Sequence, residues 1–84
     1  MNYIAILRSR NYVYKLGSAL ENKGYKFEIV STPSHVSKGG CGLCLKFPEE
    51  LMEVVIAVAN ESNTPIKEVY SINSGHSKNK YRRI

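Results

Sequence analysis

Residues 43–50 read Leu-Cys-Leu-Lys-Phe-Pro-Glu-Glu and predict a strand that passes directly into a helix. In the strand half, two leucines and a phenylalanine alternate with Cys44 and Lys46, so the two sets should face opposite sides of a sheet. Pro48 suits the first helical position, and the glutamates at 49–50 suit the first turn. The apolar residues of the helix then fall on one stripe: Leu51, Val54, Val55, Val58 and Ala59.

A similar strand and helix occupy the first third of the chain. Residues 3–7 form a short, mostly apolar run that suits a central strand. Ser9 is the predicted N-cap of a helix that ends at Gly24. Gly17 inside this helix costs about 1 kcal/mol relative to alanine, which suggests a close packing contact. Residues 25–29 alternate between apolar and charged side chains and predict a second strand.

Two further segments complete the predicted order of elements. Residues 31–40 contain proline and two glycines and predict a loop, and residues 66–72 predict a fourth strand. The order β-α-β-β-α-β predicts an α+β, ferredoxin-like fold, with a four-stranded antiparallel sheet and two helices on one face. The expected strand order is 4-1-3-2. We expect one domain over residues 1–73 and a basic, flexible C-terminal tail over residues 74–84.

The charge of the chain is concentrated in that tail. Residues 74–84 contain four basic residues and no acid, whereas residues 1–73 contain eight basic residues and seven glutamates. Such a tail could hold an acidic partner or nucleic acid, although a solvated chain end is the simpler interpretation. No apolar run reaches the roughly 18 residues that cross a bilayer, and the N-terminus does not resemble a signal peptide. We therefore expect a cytoplasmic protein without a membrane partner.

The two cysteines of the chain, Cys41 and Cys44, follow a glycine-rich approach, Gly39-Gly40. Little side-chain bulk shields a thiol in such a place, and the thiolate is both the nucleophile and the soft-metal ligand. Gly40 and Gly42 would give access, and their backbone N–H groups could form a nest that binds an anion. In a reducing compartment this pattern favours a reactive, redox or metal role over a structural disulfide.

The predicted topology places the start of the first helix beside Cys41. The end of the first strand and the loop between strands two and three should share one edge of the sheet, so Arg8, Ser9 and Arg10 should lie nearby. A helix N-terminus carries partial positive charge, and the arginines add full charges, so we expect a lowered pKa for Cys41. The alternative is that Cys41 is a small buried residue at the start of the third strand. Spacing alone favours neither.

The Cys-x-x-Cys spacing also allows a thiol-redox role. Residues three apart in a regular strand point to opposite faces, so a disulfide between Cys41 and Cys44 requires Cys41 to lie in the loop. We expect instead that Cys44 is an inert or partly shielded thiol on the face of the sheet without helices. The predicted reactive site contains both cysteines.

Two other kinds of site compete with a reactive thiol. His35 and His76 could join the cysteines in a zinc site, but the last strand ends at the opposite edge, so we expect no metal and no cofactor. The ferredoxin-like sheet is also the scaffold of an RNA-binding motif, yet the third strand has no stacking ring. Tyr3 and Tyr70 would have to supply one, so nucleic acid is not the expected partner.

Four motifs follow one another along the chain: Arg8-Ser9, Thr32-Pro33, Cys41-Gly42 and Phe47-Pro48-Glu49. With them, residues 3–72 resemble a known family of small bacterial domains, the putative selenium/sulfur carrier protein-like family. The resemblance implies that one cysteine, which is followed by glycine, holds selenium or sulfur as a perselenide or persulfide. The matching thiol is Cys41. Cys44 departs from the family pattern, which more often has a small or aliphatic residue there.

The resemblance and the residues together predict a carrier more than an enzyme. Cys41 would accept a sulfur or selenium atom and pass it to an acceptor protein, so the expected partners are donor and acceptor proteins. The alternatives are a thiol-redox or protein-interaction module at the same edge and an RNA-binding domain that uses its basic tail. Pairing of edge strands could also form a homodimer.

Overall fold

The computed structural model describes residues 1–33, 42–72 and 81–84, with residues 81–83 described by their backbone alone. The strands are β1 (Asn2–Leu7), β2 (Glu28–Ser31), β3 (Leu43–Pro48), β4 (Ile66–Ile72) and β5 (Tyr81–Arg83). The helices are α1 (Arg10–Asn22) and α2 (Met52–Glu61), and a single 3-10 turn (Glu49–Leu51) precedes α2. Within these ranges no helix is long and apolar enough to cross a membrane.

The sheet confirms the predicted α+β, ferredoxin-like arrangement. Its strand order is β2-β3-β1-β4-β5, and every neighbouring pair is antiparallel. Read from β4 to β2, the first four strands therefore have the expected order, 4-1-3-2. The fifth strand was not predicted: residues 81–83 pair with β4, from Ile72 opposite Tyr81 to Tyr70 opposite Arg83. The division into a domain over 1–73 and a flexible tail over 74–84 otherwise stays a prediction.

Helix α1 begins and ends where the sequence predicts. Ser9 has an extended backbone, and its Oγ accepts a hydrogen bond from the Tyr12 amide N–H at 3.3 Å, which satisfies one of the unpaired donors of the first turn. Gly24 follows the helix with φ of 86°. Only glycine adopts this left-handed conformation without strain, and the turn lets the Tyr25 amide N–H donate to the Leu20 carbonyl at 3.0 Å.

Gly17 confirms the predicted close packing contact. A Cβ atom built at this position would lie 3.1 Å from Phe27 Cε2 and 3.4 Å from Ile29 Cδ1. Glycine therefore lets α1 approach the chain around β2 more closely than a larger residue would allow.

Two predicted boundaries are wrong, each for a local reason. Strand β2 begins at Glu28 and not at Tyr25, because the Tyr25 amide is still bonded to the end of α1. Pro48 is the last residue of β3 and not the first of the helix: it pairs with Asn2 and keeps an extended backbone with ψ of 147°. The 3-10 turn takes up the change of direction, so α2 begins only at Met52.

Each face of the sheet carries an apolar cluster. On the helix side, Leu45 and Phe47 of β3 belong to the main core, with Ala5 and Leu7 of β1. The main core is completed by buried residues of the helices and of β4: Val13, Leu16, Leu20, Val55, Val58, Ala59 and Val69. The predicted alternation along β3 is thus confirmed, because Cys44 belongs to a separate cluster on the other face. One of the two predicted site cysteines, Cys44, therefore lies in this second cluster.

Candidate functional site

The register of the strands brings four chain segments to one end of the sheet. Ala5 pairs with Leu45, so the rest of β1 and the start of β3 point toward the same end. Ser31, the last residue of β2, pairs with Leu43, the first of β3. Leu7 pairs with Ile66, the first residue of β4. We call this end of the sheet, where β1 and β2 end and β3 and β4 begin, the Gly42 edge.

Gly42 itself is held in place by the backbone. The Thr32 amide N–H donates to the Gly42 carbonyl at 2.9 Å, which extends the pairing of β2 and β3 by one step beyond Ser31 and Leu43. Gly42 is exposed, and a Cβ atom built on it would meet nothing within 4 Å. The residue that is covalently bonded to Cys41 is therefore fixed in position and open to solvent. Cys41 and Gly40 lie outside the described residues.

Helix α1 starts from the same edge with an unusual charge pattern. Its first turn contains no acidic residue, and Arg10 is its first helical residue. Arg8 and Arg10 are both exposed, and neither takes part in an ion pair in the described part of the chain. Cations at a helix N-terminus oppose the helix dipole, whereas an anion there is stabilised by it. This combination favours an anion next to the start of α1.

Ser9, a predicted anion-binding residue, has a structural task at this edge. Its Oγ accepts the hydrogen bond from Tyr12 that caps α1. The hydroxyl hydrogen of Ser9 is not used in that bond, because the oxygen is the acceptor, so the group keeps one donor for a second partner.

Cys44 lies inside the protein. Its exposed fraction is 0%, and it packs with Ile4 and Ile6, which are exposed by 1% and 2%. Three half-buried residues complete this second cluster: Val30, Tyr70 and Ile72. An apolar environment disfavours a charged thiolate, and complete burial prevents contact with a bulky reagent or partner. Cys44 is thus shielded more fully than the sequence indicated.

The structure brings together four of the predicted site residues and separates a fifth. Arg8, Ser9 and Arg10 follow directly from the end of β1, and Gly42 lies beside the start of β3 at the same edge. Cys44 is one residue into β3 but on the buried face. The histidines that could have joined a zinc site, His35 and His76, are outside the described residues, as are Gly40 and Cys41.

The tyrosines considered for RNA stacking are on opposite faces of the sheet. Tyr3 packs against the main core on the helix side, where its ring meets the Phe47 ring edge to face at a centroid distance of 6.1 Å. Tyr70 lies on the other face, and its hydroxyl donates to Glu68 Oε2 at 3.1 Å. These two rings therefore do not form one stacking surface.

Apart from Arg10, one surface contains no residue that the sequence-based prediction singled out. The solvent-facing side of α1 carries Arg10, Tyr14 and Lys15, all of them exposed. The signal that could have identified it is a tyrosine outside the apolar stripe formed by Val13 and Leu16, since an aromatic residue there contributes nothing to the core.

Comparison with protein-family models tests the family resemblance that the motifs indicate. The family model described as Putative Se/S carrier protein-like matches residues 2–71. The chain belongs to this family. The match spans both cysteines, the Gly42 edge and the whole of β1 to α2. No curated protein matches the chain significantly.

Proposed function

We propose that this Se/S carrier-like domain holds one sulfur or selenium atom on Cys41 and delivers it to an acceptor protein in the cytoplasm. Membership of the family supports the carrier role. The observation that carries the assignment to Cys41 is the burial of Cys44: a carrier must expose its thiol to two partners in turn, and Cys44 is 0% exposed. The chain has two cysteines, so Cys41 is the remaining candidate.

The proposed chemistry is an exchange between persulfides. The Cys41 thiolate attacks the outer sulfur of a donor persulfide, R–S–SH. An S–S bond forms at Cys41 while the S–S bond of the donor breaks, and the donor leaves as the thiolate R–S⁻. Delivery repeats this step with an acceptor thiolate, which releases the Cys41 thiolate. Selenium would follow the same route from R–S–SeH, and no oxidant or reductant is consumed.

The Gly42 edge would support this exchange electrostatically. Thiolate and persulfide are both anions, and the start of α1 offers unpaired N–H groups together with the charges of Arg8 and Arg10. In this role the arginines raise the fraction of thiolate at neutral pH, and Ser9 fixes the first turn of α1 and can donate its hydroxyl hydrogen. The glycines on either side of Cys41, Gly40 and Gly42, would leave room for a donor or acceptor to approach.

Intact mass after treatment with a low-molecular-weight persulfide tests the proposal. Wild type and Cys44→Ala should each gain the mass of one sulfur atom, and Cys41→Ser should gain none. Alanine is preferred at position 44 because a serine hydroxyl would be buried in an apolar cluster, which costs about 1–3 kcal/mol without a partner.

Two results would contradict the carrier assignment. A product two hydrogens lighter than the wild type, lost in both variants, would identify a dithiol–disulfide pair and hence the redox alternative. Retention of the sulfur adduct in Cys41→Ser would show that Cys44 becomes accessible and is the carrier thiol.

A further inference from the structure

The solvent-facing side of α1 combines a large exposed aromatic ring with positive charge. Tyr14 is 50% exposed, and in the described part of the chain its hydroxyl has no hydrogen bond and its ring has no aromatic contact. Arg10 lies one turn before it, and Lys15 and Ser18 flank it. We call these four exposed residues the Tyr14 face.

The first two turns of α1, which hold Arg10, Tyr14 and Lys15, contain no acidic residue. The single acid of α1 is Glu21, which is exposed on the same side of the helix as Tyr14 but lies two turns further on, in the last turn. Acids are concentrated instead on the segment from the 3-10 turn through α2, which contains Glu49, Glu50, Glu53 and Glu61 and no basic residue. A partner that approaches the first two turns of α1 therefore meets positive charge, from Arg10 and Lys15.

The face also continues from the proposed carrier site. Arg10 is both the first residue of α1 and one end of the Tyr14 face, and α1 starts at the Gly42 edge. A protein that reaches the thiol from this side would rest on the first two turns of α1. Tyrosine and arginine are the residue types that most often anchor protein interfaces, because they offer large, rigid contact areas and directed hydrogen bonds.

We propose that the Tyr14 face is the docking surface for the carrier's protein partner, and that the partner presents an acidic surface to it. This inference rests on the proposed function. The ring of Tyr14 would supply apolar contact, while Arg10 and Lys15 would attract the partner and orient its thiol toward the Gly42 edge. A small, charge-steered interface also suits a carrier, since it forms fast and releases its partner after transfer.

The chain supplies a matched pair of variants for the test. Tyr14→Ala with Lys15→Glu alters the Tyr14 face and leaves the arginines of the proposed carrier site in place. Tyr25→Ala with Lys26→Glu makes the same two changes at another exposed tyrosine–lysine pair, which lies after α1 at the opposite end of the helix. All four side chains are exposed, so both double variants should fold.

Poly-L-glutamate is the probe, titrated into ¹⁵N-labelled protein at low salt. In the wild type we expect amide shifts on residues 10–18 that fade as salt is added. The affinity should fall by about fivefold or more in the Tyr14 and Lys15 variant, and change little in the Tyr25 and Lys26 control. Shifts spread over all basic residues, or equal loss in both variants, would overturn the proposal.

Two other occupants of the Tyr14 face would give different experimental results. Tighter binding of single-stranded RNA than of poly-L-glutamate to the same residues would make the face a nucleic-acid surface. Concentration-dependent dimerisation that disappears in the Tyr14 and Lys15 variant would make it a contact between two copies. Loading of Cys41 from a low-molecular-weight persulfide should be unchanged in this variant, so failure of the docking proposal leaves the carrier proposal separately testable.

Discussion

The two helices of this domain begin in opposite ways. Helix α1 starts at the Gly42 edge with a serine cap, an arginine as its first residue and no acid in its first turn. The segment that leads into α2 starts at the other end of the sheet, after Pro48, with no side-chain cap and with Glu49 and Glu50 at its beginning. The start of α2 follows the rule that acids stabilise a helix N-terminus, and the start of α1 departs from it.

The difference in charge between the two helix starts points to a functional role for one of them. Residues that violate a local stability rule without an evident structural compensation are candidates for a functional role. At α1 the cost of the arginines would be offset by an anion bound nearby, which is what a thiolate or persulfide at Cys41 would provide. At α2 no such anion is needed, and the glutamates serve the helix itself.

The largest expected effect concerns the reactivity of Cys41. Changing Arg8 and Arg10 together to glutamine should slow alkylation of Cys41 by iodoacetamide at neutral pH by about three- to tenfold, because less thiolate is present. Changing Glu49 and Glu50 to glutamine should leave the rate unchanged, since these residues lie at the far end of the sheet. Equal rates in wild type and the arginine variant would show that the arginines of the Gly42 edge do not stabilise the Cys41 thiolate.

A smaller effect is expected from the cap. Ser9→Ala should lower the free energy of unfolding by about 1 kcal/mol, because the Tyr12 amide loses its side-chain acceptor and keeps only the Ser9 carbonyl, 3.1 Å away. Ser18→Ala, in the exposed middle of the same helix, should be neutral or slightly stabilising, since alanine is the better helix former. Urea unfolding of the two variants gives both values. A loss at Ser18 that matched the loss at Ser9 would argue against the cap as the source.

The smallest effect should have opposite signs at the two helix starts. In a Cys41→Ser background, which has no thiolate to offset the cation, Arg10→Gln should raise the free energy of unfolding by about 0.3 kcal/mol at low salt. Glu50→Gln removes an anion near the start of α2 and should lower it by about the same amount. Thermal unfolding with and without added salt measures both. If both changes destabilise the protein, the contrast between the two helix starts does not exist.

Much of the fold could be predicted because its elements are locally consistent. The serine cap, Gly24 and the apolar stripe fix α1, and alternation along β3 correctly assigns Leu45 and Cys44 to different faces. Strand β5 could not be predicted from such a pattern. It joins the sheet through backbone pairing, and its sequence, Tyr-Arg-Arg, shows no apolar alternation.

The burial of Cys44 is the part of the site that sequence reasoning underestimated. The sequence predicts an inert or partly shielded thiol for Cys44, on the face of the sheet without helices. In this chain residues 3–7 of β1 form a mostly apolar run, so Ile4 and Ile6 place an apolar cluster on that face as well. Continuous apolar strands are typical of sheets that are buried on both faces, and this signal was present in residues 3–7.

Chemical labelling of Cys44 can also measure local opening of the folded domain. A thiol that is 0% exposed can be labelled only when the apolar cluster around it opens. In the limit where reclosing outpaces modification, the labelling rate gives the free energy of that opening, as amide hydrogen exchange does for a buried N–H. A Cys41→Ser protein would therefore report, from the one cysteine that it retains, how often the second cluster opens.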